Sequence, residues 1–187
     1  FVQANYKKAP MMLLASNEKA PKSFYGSRIL SNDLVNRARQ AWKTVGLTLR
    51  NDVLGISLTM AADWKTQQPG DNEVLRRAHG KLGSMFLFAA EHVGDQWTLK
   101  ECADIHKQSL MANKAVKLKM ASRTTLAGVP AYRMPYTVTA DNTQVPLTCY
   151  LAVNRGAVLY MTFVIEPSNK AKCTIDMGNI VRSIKIR

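Results

Sequence analysis

The chain has 187 residues, with 26 Lys and Arg against 13 Asp and Glu, a net charge of +13 and a pI near 9.9. Apolar residues make up 47% and charged residues 21%, which excludes a disordered polyelectrolyte and suits one folded domain; a chain of this length buries about 70% of its unfolded surface without a disulfide or metal. The longer apolar runs, Met11–Ala15, Met85–Ala90 and Ala157–Met161, fall far short of the ~20 residues of a membrane-spanning helix.

Residues 5–30 lack sustained periodicity and contain Pro10, Pro21 and Gly26. They read as an extended N-terminal arm, residues 1–30, ahead of a single domain spanning 31–187. Ser31 then has the character of an N-cap. Leu34, Val35, Ala38, Ala41, Trp42 and Val45 recur at helical spacing before Gly46, so a helix is predicted over 31–45, with Arg37, Arg39 and Lys43 on its polar face.

Strand patterns follow at Leu47–Arg50 and Val53–Met60, joined by a turn at Asn51-Asp52. Residues 67–72, with Pro69-Gly70, read as a loop, and 73–83 as a polar, glycine-broken stretch. Ser84–His92 reads as a buried strand with Met85, Leu87 and Ala89 on one face and Phe86, Phe88 and Ala90 on the other. Thr98 and Glu101 have the spacing of a capping box. The helix they open runs to Asn113, with Leu99, Cys102, Ala103, His106 and Leu110 on one side.

Four strands are predicted next: Val116–Leu126, Ala131–Thr139, Gln144–Asn154 and Ala157–Ile165. In the third, Val145, Leu147, Cys149, Leu151 and Val153 alternate with Pro146, Thr148, Tyr150 and Ala152. The fourth is apolar on both faces, which predicts a central strand covered on both sides. Ser168 opens a last helix with Cys173, Met177, Ile180, Val181 and Ile184 inward. Hairpin-linked strands with few intervening helices argue for an antiparallel α+β fold.

From about residue 48 onward these patterns resemble the PsbP-like (Mog/PsbP) fold family, in particular its small bacterial exported proteins of unknown function. The resemblance rests on Gly-Ile-Ser-Leu-Thr-Met and Asp-Trp within 55–64, Thr-Leu-Lys-Glu at 98–101 and Thr-Thr-Leu-Ala-Gly-Val-Pro-Ala-Tyr at 124–132. It continues with Ala-Val-Leu-Tyr-Met-Thr-Phe at 157–163 and Ile-Val-Arg-Ser-Ile-Lys-Ile at 180–186. It implies an antiparallel sheet packed between helices, an α/β/α sandwich, here with an extra N-terminal helix. It also implies a mostly non-enzymatic role, and no binding residue of a characterised branch carries over to a position here.

The chemistry-bearing residues add little. Cys102 and His106 share a helix face at metal-ligand spacing, but the face is apolar and no third ligand accompanies them. The three cysteines are compatible with packed thiols or with a Cys102–Cys173 bridge between two helices. The chain contains no Gly-x-Ser-x-Gly, Walker-type loop or Gly-x-Gly-x-x-Gly, so neither an enzyme nor a bound cofactor is expected.

The charge points to an anionic partner. The candidate contact surface comprises Arg37, Arg39, Lys43, Arg76, Arg77, Lys81, Lys114, Lys117, Lys119 and Arg123, the last four ending a helix and lining one strand face. Tyr132 and Tyr136 are candidate stacking platforms. Phe-Val-Gln-Ala at 1–4 places Val2 and Ala4 as signal-peptide processing would, so a periplasmic or secreted location is expected, with a cytoplasmic one as the alternative. The resulting expectation is a non-catalytic accessory protein serving as an interaction platform for a protein or an anionic envelope surface. The alternative is a nucleic-acid-binding module.

Overall fold

The structure, a computed structural model, describes residues 33–67, 76–80, 82–93, 97–140 and 142–187. The expected arm at 1–30 and Lys81 lie outside the described residues. The first element, α1 (Asp33–Gln40), ends five residues before the predicted helix would. Trp42–Val45 instead forms strand β1, paired antiparallel with β2 (Thr48–Asn51) through Val45 and Thr48. Trp, Thr and Val favour strands. Gly46, at φ 58°, supplies the positive φ that opens a two-residue hairpin loop. The spacing of Trp42 and Val45 matches a helix, yet the hairpin bonds prevail.

Strand β3 (Ile56–Thr59) follows a loop longer than the expected tight turn. The fully buried Asn51 organises that loop: its Nδ2 donates to the Ala38 carbonyl at 2.6 Å, and its Oδ1 accepts from the Leu54 amide at 3.0 Å. One side chain thus joins α1 to the β2–β3 connection. Trp42 packs edge-on against Phe88 with ring centroids 5.0 Å apart, and Ala38 is fully buried. The N-terminal helix is therefore docked.

The polar stretch 73–83 contains an unpredicted strand, β5 (Arg76–His79), between β4 (Lys65–Gln67) and β6 (Met85–His92). Helix α2 (Leu99–Ala112) starts with the predicted capping box, both hydrogen bonds being present. After it come β7 (Val116–Leu118), β8 (Ser122–Leu126), β9 (Val129–Ala140), β10 (Thr143–Asn154) and β11 (Ala157–Val164). A 3₁₀ turn at Pro167–Asn169 leads into α3 (Lys170–Ser183), and β12 (Lys185–Ile186) closes the order.

The large antiparallel sheet runs β4-β5-β6-β11-β10-β9-β7, with β8 also pairing β9. As the two-sided apolar pattern predicts, β11 is central. The alternation in β10 sorts its residues as expected. Val145, Leu147, Cys149 and Leu151 join the core under α2, whereas Tyr150 and Ala152 join the core on the other side. That second core also takes in α1, α3 and a small sheet ordered β1-β2-β3-β12.

The cysteines follow this division. Cys102 and Cys149 lie in the core beneath α2, whereas Cys173 lies in the opposite one. All three are free and buried, and the sheet stands between Cys102 and Cys173, so the bridge between them does not form.

Candidate functional site

The predicted strand Val116–Leu126 is interrupted by a bulge, and its consequences reach the candidate surface. Opposite β9, Leu118 pairs with Tyr136 and Ser122 with Arg133. Three residues of one strand, 119–121, therefore face two of the other. The Lys119 amide bonds to the Pro135 carbonyl at 2.9 Å across the gap. β9 itself keeps one unbroken register with β10 from Ala131 to Ala140.

A one-residue slip exchanges the faces of every later side chain. Lys117 stands opposite Thr137, whereas Arg123 stands opposite Tyr132. Thr137 and Tyr132 are an odd number of residues apart in one regular strand, so they point to opposite faces. The lysines and Arg123 therefore do not line one strand face. They surround an edge.

Helix α2 completes this margin. The Val116 amide donates to the Asn113 carbonyl at 2.9 Å beside the helix end. Leu99 and Lys100, at its start, line a cleft of about 250 Å³ with Arg123, Thr124 and Tyr132. The chain thus returns along the sheet edge from the end of α2 to its beginning. Lys100, Asp104, Lys107 and Met111 follow the i, i+4, i+7, i+11 spacing of one helix face, and all are exposed. Lys100 bonds to Asp104 at 2.8 Å, which holds the ammonium above its ordinary pKa through that hydrogen bond and holds the carboxyl below its own. Glu101 is engaged by the Thr98 amide at 2.9 Å and hydroxyl at 2.7 Å, and these bonds lower its pKa.

Lys114, Lys117 and Lys119 differ from these. Each is exposed, and none makes an ion pair among the described residues. Two large apolar side chains accompany them: Met111 is 63% exposed and Met120, on the bulge, 87%.

The aromatic candidates offer no open platform. The Tyr132 hydroxyl accepts from Arg123 Nε at 3.0 Å, and the guanidinium carbon lies 5.9 Å from its ring centroid. Tyr136 is buried, and burial pushes its phenol well above the ordinary range.

The remaining predicted cations lie elsewhere. Arg37 and Arg39 are on α1, and Lys43 on β1 pairs with Asp52 at 3.3 Å. Arg76 and Arg77 are on β5, five strand spacings from β7 in the sheet order, which is on the order of 24 Å.

A second basic cleft, of about 390 Å³, is lined by Arg50, Arg155 and Arg187 together with Asp52, Gly55 and Ser57. Two of its three arginine side chains, Arg50 and Arg155, are occupied within the fold. Arg155, at φ 51°, donates from Nε to the Arg187 carbonyl at 3.1 Å and from Nη1 to the Asp52 carbonyl at 2.8 Å. Arg50 pairs with Asp52. Gly55, at φ 65°, lets Arg155 and the Arg187 carbonyl approach where a Cβ would collide.

Cys102 and His106 do share the inner face of α2. The imidazole lies 4.9 Å from the Tyr160 ring and Nε2 is buried without a partner. Burial drives its pKa down to about 4 and the Cys102 thiol up to about 11. Among the described residues no group of three His, Cys, Asp or Glu is placed to hold a metal ion.

No protein-family model and no curated protein matches the chain. Among solved structures, cyanobacterial PsbP (CyanoP) from Synechocystis sp. PCC 6803 matches 77% of this chain and 95% of its own, with a TM-score of 0.62 at 11% identity. LpqN, involved in cell envelope biogenesis of Mycobacterium tuberculosis, matches 70% of this chain and 82% of its own, with a TM-score of 0.49 at 13% identity. The chain has a PsbP-like α+β fold.

Proposed function

We propose that this PsbP-like domain is a non-catalytic accessory protein, exported to the periplasm or beyond, that docks onto an anionic partner through the α2–β7–β8 margin. The observation that carries this reading is the group of exposed lysines without ion pairs among the described residues, Lys114, Lys117 and Lys119, beside exposed Met111 and Met120. Lysines and a bulge also guard a sheet edge against unwanted strand pairing. That role accounts for Lys117 and Lys119 but not for two exposed methionines, which such an edge would omit.

The 26 to 13 excess of basic residues supports an anionic partner, because a field of one sign speeds encounter with the opposite charge. Nucleic acid is less well supported: recognition of single strands relies on open aromatic platforms, and Tyr132 and Tyr136 are both engaged. No helix among the described residues is long and apolar enough to cross a membrane, so the reading is of a domain that docks on its partner's surface.

The test is capture from a solubilised envelope fraction and from nuclease-treated cytosol. Wild-type protein should retain envelope material, and a Lys114→Glu, Lys117→Glu, Lys119→Glu variant should lose it. A Lys170→Glu, Lys172→Glu variant on α3 should keep it. Equal capture by all three proteins, or capture dependent on nucleic acid, would overturn the reading.

A further inference from the structure

We infer that the anionic partner is a lipid surface, and that the α2–β7–β8 margin lies on acidic headgroups with Met120 and Met111 entering the interfacial layer. This deepens the proposed function and rests on its placing the contact at that margin.

The composition of the margin discriminates among partners. Six cations, Lys100, Lys107, Lys114, Lys117, Lys119 and Arg123, face two acids, Glu101 and Asp104. Both acids are already engaged, by the helix cap and by Lys100. Five of the six cations are lysines. Lysine is depleted in protein–protein interfaces, which favour arginine and aromatic anchors. Headgroup attraction instead needs only positive charge within a Debye length of the surface.

The methionines fit the same surface. Met120 sits on the bulge at the outer edge of the sheet, 87% exposed, and Met111 ends the outer face of α2, 63% exposed. Each is flanked along the chain by lysines, Lys107 and Lys114 around Met111, and Lys119 beside Met120. An unbranched thioether can enter the headgroup–acyl boundary while neighbouring lysines extend their ammonium groups to the phosphates. Apolar residues bordered by cations are the arrangement by which interfacial segments bind acidic bilayers. The bulge is what makes it available here, because Met120 sits between the two paired stretches with its side chain 87% exposed.

The experiment is sedimentation of the whole chain with vesicles of phosphatidylcholine alone and with vesicles containing about 30% phosphatidylglycerol, an acidic surface of the kind that attracts polybasic segments. Wild-type protein should bind the acidic vesicles and not the neutral ones. Replacing Lys114, Lys117 and Lys119 by Gln should weaken partitioning on the order of a hundredfold, because each interfacial lysine contributes about a factor of five. Met120→Ser should weaken it by about fivefold while leaving its salt dependence unchanged, since the apolar contribution is separate from charge. Circular dichroism and melting of these exposed variants should match wild type.

Absence of binding to acidic vesicles overturns the lipid assignment. Binding that the lysine variant retains, or that Met120→Ser leaves unchanged, also overturns it, as does equal affinity for duplex DNA at the same ionic strength. If the vesicles fail while the Lys-to-Glu variant still loses envelope capture, the docking margin stands and its partner is a protein. If neither assay responds to the lysines, both readings fall.

Discussion

The β10–β11 hairpin and the β7–β8 edge are both antiparallel strand segments of one sheet, yet they obey different constraints. β10 and β11 pair without interruption from Leu147–Val164 to Asn154–Ala157 and are apolar on both faces. Displacing either by one residue would exchange two complete sets of core side chains, so burial fixes the register. The β7–β8 segment has solvent along one edge and carries a bulge, and its faces exchange between Lys117 and Arg123. Where packing leaves no freedom, the sheet is regular; where it does, the edge presents charge and exposed methionine.

The largest expected effect lies in the constrained region. Phe163 is buried near the end of the central strand β11, with the Phe86 ring 5.0 Å and the Tyr150 ring 6.2 Å away. Phe163→Ala should cost about 3–5 kcal/mol through lost burial and a residual cavity, measured by denaturant unfolding. An unchanged midpoint would remove β11 from the core.

The next effect is acid sensitivity beneath α2. The folded pKa of His106 is lowered by burial to about 4 from an ordinary 6.5. The unfolded chain therefore binds more protons between these values, and stability rises with pH there. The contribution is fully present above about pH 6.5 and is lost as pH falls toward 4, roughly 2–3 kcal/mol in all. His106→Phe should flatten the pH dependence of melting in that window; an equally steep variant would show that His106 is not the group responsible.

Asn51→Ala removes the link between α1 and the β2–β3 loop, leaving the Leu54 amide without its partner and the Ala38 carbonyl with only the Ala41 amide. The expected cost is about 2 kcal/mol, with faster amide exchange at Leu54. Normal exchange there would mean that the loop does not depend on this side chain.

The same contrast explains what could be read from the sequence. Alternation in Gln144–Asn154, the two apolar faces of Ala157–Ile165 and the Thr98–Glu101 capping box each depend on neighbours a few residues away, and the structure bears them out. Features decided by distant pairing were not legible. Trp42 and Val45 fit a helical spacing as well as a strand, and only the partner across Gly46 selects the strand. Arg76–His79 has no apolar alternation, and β6 recruits it through the backbone.

At the margin, residue type was visible and geometry was not. The spacing of Lys117, Lys119 and Arg123 suggested one face because an unbroken strand would give one. The extra residue at 119–121 leaves no local signature. Exposure of Met111 was accessible from the helix period once Thr98 fixed the start, whereas exposure of Met120 follows from the bulge alone.

The smallest expected effect on stability is at that margin. Changing Lys114, Lys117 and Lys119 to Glu should alter unfolding free energy by no more than about 0.5 kcal/mol, as for other exposed positions. A large loss would make these lysines part of the fold.

The most direct measurement is lysine footprinting: acetylation of the protein free and bound to envelope material, read by mass spectrometry. Lys114, Lys117 and Lys119 should become protected on binding while Lys170 and Lys172, on α3 across the sheet, keep their free reactivity. Protection of Lys170 and Lys172 with the margin lysines still reactive would contradict the assignment of this margin as the docking surface.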